Sequence, residues 1–148
     1  MIRILIPFFV GFISSTLIYL GEVRRISFFA RKYYERYRLT HIWLLRKEEG
    51  FKISDELLGR GIKRVAIYGM EDLGHHLVSE LQGSDVVIAY LVDRKKNIHT
   101  RGYQLFSPED QLESVDAMVV TAVLSYEEIR KNLQEKLDTE YISLEELL

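Results

Sequence analysis

The chain contains no cysteine. Disulfide frameworks, thiol chemistry and cysteine-based zinc sites are therefore excluded. Proline is nearly absent as well, with Pro7 and Pro108 alone in 148 residues. No internal repeat and no low-complexity segment interrupts the sequence. Several catalytic signatures are missing: there is no G-x-x-x-x-G-K-[ST], no H-E-x-x-H and no G-x-S-x-G. Tyr-x-x-x-Lys is absent too, since Tyr126 is followed four residues on by Arg130. His75 and His76 are adjacent, so on a helix they point in different directions and make a poor metal pair.

What is present is globular. Hydrophobic residues make up 47% and charged residues 28%, a composition that folds rather than stays disordered. The length fits one domain plus an appendage. The net charge of −2 hides a division. Residues 1–64 carry 13 Lys/Arg and 6 Asp/Glu, whereas residues 65–148 carry 7 Lys/Arg and 16 Asp/Glu. The two parts are expected to meet different surroundings.

Residues 1–21 form a hydrophobic segment. From Ile4 to Leu20 no charge occurs. As a helix this run spans about 26 Å, just short of the roughly 30 Å hydrocarbon core. Pro7 sits in its first turn, where a missing N–H costs little. The run ends Ile-Tyr-Leu-Gly-Glu, without a small-x-small cleavage site. Arg24, Arg25, Arg31, Lys32, Arg36 and Arg38 follow, while only Arg3 and the amino terminus precede. The positive-inside rule then puts the remainder of the chain in the cytoplasm, on a membrane-associated protein. The competing reading is a helix that docks on another protein.

Residues 22–51 read as a basic, aromatic amphipathic helix. Val23, Ile26, Phe29, Tyr33, Tyr37 and Trp43 recur at spacings near three and four, with basic residues between them. Tyr33, Tyr34, Tyr37 and Trp43 beside arginines fit an aromatic belt at the membrane interface. They fit equally a helix face that covers the neighbouring domain. Binding of single-stranded nucleic acid uses similar residues, but the acidic remainder of the chain argues against a nucleic-acid partner.

Residues 52–148 carry the most specific pattern. Ser54-Asp55-Glu56 reads as an N-cap with first-turn acids, and Gly59 and Gly61 as the helix end. Then comes Val65-Ala-Ile-Tyr68, a strand apolar enough to be buried on both faces. Gly69 makes a turn, Leu73–Leu81 a helix, and Val86–Val92 a second strand that ends at Asp93. Tyr103–Leu105 is a candidate third strand, and Ser107-Pro108-Glu109 reads as a helix start. Ala117–Val120 is a fourth strand, Tyr126–Leu137 a helix and Tyr141-Ile142 a fifth strand before the cap Ser143–Glu146. This alternation predicts an α/β fold with a small parallel sheet of about five strands, order 3-2-1-4-5, flanked by helices.

Glycine-rich turn, helix start and Asp93 together have the layout of a Rossmann dinucleotide-binding fingerprint. The segments VAIYGMEDLG at 65–74, VDAMVVTA at 115–122 and YISLEELL at 141–148 resemble the small NAD(P)-binding-type Rossmann domains attached to bacterial polysaccharide-biosynthesis proteins. The resemblance covers about two-thirds of the chain. It implies a nucleotide or nucleotide-sugar, NAD among them, at Gly69, Met70, Glu71, Asp72, Leu73, Gly74, Asp93 and Thr121. It also implies a polysaccharide-assembly enzyme as partner and admits a homo-oligomer.

The residues themselves complicate that expectation. Gly69 permits the tight turn and Gly74 the close packing of helix on strand, but Glu71 stands where the middle glycine belongs. A glutamate there adds bulk and charge where a pyrophosphate comes closest, and Asp72 adds a second acid. Both also suit a first helical turn that binds nothing. Asp93 is placed to accept from a ribose 2′-OH, or to stand solvated at a strand end. No set of catalytic side chains accompanies the turn, and a separate substrate domain is not expected within these residues. The expected role is an accessory module without independent activity. Its rivals are a truncated NAD-dependent epimerase or dehydrogenase that needs a partner chain, and a ligand-free interaction scaffold.

Overall fold

The computed structural model describes residues 2–148, with side chains described from Ser15 onward. In chain order the elements are α1 (Ile2–Glu48), α2 (Ile53–Gly59), β1 (Arg64–Tyr68), α3 (Asp72–Leu81), β2 (Val87–Val92), β3 (Leu105–Phe106), β4 (Ala117–Val120), a 3-10 turn (Val123–Ser125), α4 (Tyr126–Leu133), β5 (Glu140–Ser143) and α5 (Leu144–Leu147). By internal contact the chain forms two units, Met1–Tyr37 and Arg38–Leu148.

In the second unit the five strands make one parallel sheet, order β3-β2-β1-β4-β5. The fold is the α/β arrangement that the strand–helix alternation implies. β1 is central because it is apolar on both faces. Along it, side chains alternate with period two. Val65 and Ile67 enter one core layer with Leu57, Leu77, Leu81 and Leu144. Ala66 and Tyr68 enter the other with Tyr90, Met118, Ile129 and Leu133. Ile67 and Val119 are paired across β1 and β4 and fully buried. The Asp116 carboxylate accepts from the amides of Lys63 and Arg64 at 2.9 and 2.8 Å, which joins the approach to β4 to the start of β1. Those two amide bonds hold its carboxyl below the usual carboxylate range.

Four local expectations are corrected. Ser54 is not the cap of α2. The cap position falls two residues earlier, at Lys52, and no side chain of its own caps the helix. Instead the Ile53 amide donates to Glu80 Oε1 at 2.7 Å, a carboxylate supplied by α3. Ser54 turns inward and is buried. The helix expected at Ser107-Pro108-Glu109 stops at a single turn, closed by Asp110 N–H to Ser107 O and Ser107 N–H to Asp110 Oδ2. Leu112 and Val115 are the only apolar residues from 109 to 116. Two side chains provide too little burial to repay helix nucleation. β3 falls at Leu105–Phe106 rather than 103–105, and α4 ends at Leu133 rather than Leu137.

The C-terminal part of α1 belongs to this unit, and it separates residues that sequence spacing had grouped. Leu39 and Trp43 are buried in the core. The Trp43 indole N–H donates to Glu80 Oε2 at 2.7 Å, and Lys47 Nζ approaches the same oxygen at 3.1 Å. The Glu80 side chain is only 6% exposed. One nearly buried carboxylate thus serves α1 and the N-terminus of α2 together.

In the first unit, Ser15–Tyr37 is helical and exposed along most of its length. Tyr33, Tyr34 and Tyr37 are 60%, 62% and 69% exposed, so they lie on a different face from Trp43. Arg25 pairs with Glu22 at 2.7 Å, and the Arg36 guanidinium lies 4.6 Å over the Tyr33 ring. Most of the uncharged run 4–20 lies outside the described side chains. Among the described residues, no helix is long and apolar enough to cross a membrane.

Replacing Glu80 with Ala strips a partner from both the Trp43 indole and the Ile53 amide. The expected cost is roughly 2–4 kcal/mol, from two buried donors left without acceptors; the half-exposed Lys47 contributes little to it. Urea denaturation followed by Trp43 fluorescence measures it, and an unchanged midpoint would show that this carboxylate does not hold the helices.

Candidate functional site

The glycine turn leaves β1 at Tyr68 and enters α3 at Asp72. Gly69 takes φ +95°, a conformation that side chains rarely adopt. Its N–H donates to Val92 O at 2.9 Å, and its carbonyl accepts from Thr121 Oγ1 at 2.5 Å. A Cβ built on Gly69 would stand 2.8 Å from that hydroxyl oxygen. Gly74, in the first turn of α3, is tighter still: a Cβ there would lie 2.1 Å from the Gly69 carbonyl oxygen. Both glycines therefore hold the positions for which the sequence singles them out, the turn and the helix–strand contact.

The other candidate residues divide by environment. Met70 and Leu73 are buried and face the core, so their side chains are packing groups. The Met70 amide donates to Asp93 Oδ2 at 2.7 Å, and Lys95 N–H donates to Asp93 Oδ1 at 2.8 Å. Asp93 is thus bound to the turn itself. Each carboxylate oxygen has a second lone-pair direction, so a ribose diol can still share it. Glu71 is the N-cap residue of α3 by backbone conformation, but its side chain does not cap. That carboxylate stands 3.5 Å from Lys95 Nζ. Asp72 is exposed at the helix start. Thr121 is buried at the end of β4 and donates to Tyr68 O at 3.2 Å as well as to Gly69 O. It acts as a clamp across β1 and β4, and its hydroxyl faces the chain rather than open solvent.

Sequence reasoning takes residues 94–101 as a polar, basic loop and gives its cations no part in the site. Arg94, Lys95 and Lys96 follow Asp93 directly. Arg94 lies near Tyr68 and reaches Glu128 at 3.6 Å, whereas Lys95 offsets Glu71. These three bases follow the acids of the turn in sequence, so the local charge is less negative than Glu71, Asp72 and Asp93 alone would make it. The signal was legible as three basic residues adjoining an acid at a strand end. Tyr68 lies in the second core layer, and burial pushes its hydroxyl pKa up despite Arg94. It is a neutral hydrogen-bonding group near neutral pH.

Two other features stand apart from the turn. Among the described residues, no group of three His, Asp or Glu could hold a metal ion. An open groove of about 490 Å³ runs between α4 and β5, lined by Tyr126, Arg130, Leu137, Thr139 and Tyr141 among others; none of the glycine-turn residues lines it. No protein-family model matches the chain, and neither a curated protein nor a solved structure matches it.

Replacing Gly74 with Ala should cost at least about 3 kcal/mol, at the upper end of overpacking penalties, because the obstructing atom is backbone oxygen. Gly21→Ala, with open space around it, should leave the melting temperature unchanged or higher. Thermal denaturation of both variants checks the contrast.

Proposed function

We propose that this chain is a membrane-associated accessory module whose Rossmann-like domain holds a nucleotide or nucleotide-sugar weakly and performs no chemistry of its own, serving a polysaccharide-assembly enzyme. The observation that carries the binding part is the strand–turn–helix unit of Gly69 and Gly74. It brings the first amides of α3, with their positive dipole end, to the carboxyl edge of β1 next to β4. In parallel sheets with this strand order, that edge is the point where crevices open. Asp93 stands beside it as a ribose acceptor. Lys95 pairs with Glu71, one of the acids that would otherwise repel a diphosphate, and Arg94 and Lys96 adjoin Lys95 in sequence.

Weak binding follows from the same residues. The Met70 amide already has a carboxylate partner, so an incoming anion gains one donor fewer. Glu71 occupies the closest approach. The membrane part rests on the uncharged run from Ile4 to Leu20, the arginines behind it and the exposed apolar residues of α1. The polysaccharide context rests on the resemblance of residues 65–74, 115–122 and 141–148. A ligand-free scaffold is the second reading. The bond from Met70 to Asp93 favours it, since a turn that supplies its own anion needs no other.

Two measurements separate these readings. Full-length protein should sediment with membranes and resist extraction by salt and carbonate; protein that stays in the soluble fraction without detergent ends the membrane part. Glu71→Gly should tighten binding of NAD or a nucleoside-diphosphate sugar in calorimetry. The gain should approach tenfold if about 1.4 kcal/mol is recovered from bulk and one solvated charge. Absence of binding by wild type and variant alike, at millimolar ligand, would leave the scaffold.

A further inference from the structure

The exposed helix of the first unit carries a pattern that neither ligand binding nor burial explains. Tyr19, Val23, Ile26, Ala30, Tyr33 and Tyr37 follow one another at alternating steps of four and three. All six are exposed. In the sequence the same steps continue forward to Thr40 and Leu44 and backward through Thr16, Phe12, Phe9 and Leu5. No charged residue falls on any of these positions, although Arg24, Arg25, Arg31, Lys32 and Arg36 lie between them. The steps are those of the a and d positions of a heptad.

We propose that this seam pairs two copies of the chain as a parallel, in-register coiled coil through residues 19–37. The period is the first reason. A strict seven-residue repeat drifts about 20° per heptad around an undistorted α-helix. From Leu5 to Leu44 the drift would reach roughly 110°, which would turn much of the seam off a flat lipid surface. A second helix supercoiled with the first keeps the whole seam in contact. Area is the second reason. Tyr19, Tyr33 and Tyr37 are 60–69% exposed, and Ile26 is 63% exposed. With aromatic side chains of roughly 150–250 Å² each, two such seams bring together on the order of 1,000 Å², the size at which specific interfaces begin. Charge is the third. The basic residues stay outside the seam, so pairing does not bury them. The parallel sense rests on the membrane attachment proposed above, which inserts both amino-terminal runs from the same side.

The absence of native cysteine makes the test direct, because each single-cysteine variant of the full chain has one thiol. A disulfide forms only where two Cα atoms come within about 7 Å. Val23→Cys, Ile26→Cys, Ala30→Cys and Tyr33→Cys should all yield linked dimer under mild oxidation, and Arg24→Cys and Arg31→Cys should yield several-fold less. Adding Ala30→Arg to Ile26→Cys should abolish the link while the Trp43-monitored melting of the folded domain stays unchanged. Linkage at only one seam position would mean antiparallel crossing and overturn the proposal. Equal linkage on and off the seam, or none on it, would overturn it as well and assign the face to lipid or to a different protein. Fractionation of the same samples reports membrane attachment separately, so failure of that reading is not confused with failure of the seam.

Discussion

The Gly69 carbonyl oxygen occupies the space that any side chain at residue 74 would need. That contact brings α3 against the end of β1 at a separation only two glycines permit. Thr121 clamps the same oxygen from β4. Three elements therefore meet at one atom: the central strand, its neighbour across the change of strand order, and the helix between. The position of α3 then determines where Glu80 falls, eight residues after Asp72. Glu80 in turn supplies the acceptor for Ile53 and Trp43. The docking of α2 and of the C-terminal part of α1 is thus a downstream consequence of backbone contact at the turn.

The turn is also an exercise in local charge balance. Three acids and three bases lie within two short segments, 71–72 and 93–96. Asp93 is committed to backbone amides, Glu71 to Lys95, and Arg94 to Glu128. A ligand entering here would exchange partners with groups that already have them. The energy available is a difference between similar interactions, which is why such an arrangement favours weak and reversible binding over tight capture.

Much of the fold was legible because β1, β2 and β4 are short apolar runs bounded by glycine or acid, and because α3 has a clear buried face at Leu73, Leu77, Val78 and Leu81. The roles of Gly69 and Gly74 were legible for a related reason: steric exclusion leaves its mark as glycine. Long-range partners left no such mark. Nothing around Ser54 shows that Glu80 would cap α2 from 27 residues away. The spacing of Tyr33, Tyr37 and Trp43 does not reveal that the first two face outward while the third is buried. At Ser107-Pro108-Glu109 the local start signal was genuine, but the following residues lacked the apolar stripe to continue it. The clamp by Thr121 was invisible because a threonine at a strand end has many ordinary uses.

The sheet ends unevenly at its β2 side. β3 pairs with β2 through Leu91 and Val92 alone. Among the described residues, no strand covers the outer edge from Val87 to Tyr90, and Val87 is 59% exposed there. Open edges are templates for aggregation, since a passing chain can add its own backbone to the ladder. Here the register of β2 against β1 shifts between Val65 and Ala66, an irregularity of the kind that bends and twists a strand. The bare edge is therefore four residues long and contains the irregularity, too short and too distorted to seed an extended fibril. On this side of the sheet, the uncovered ladder offers little for a passing chain to copy.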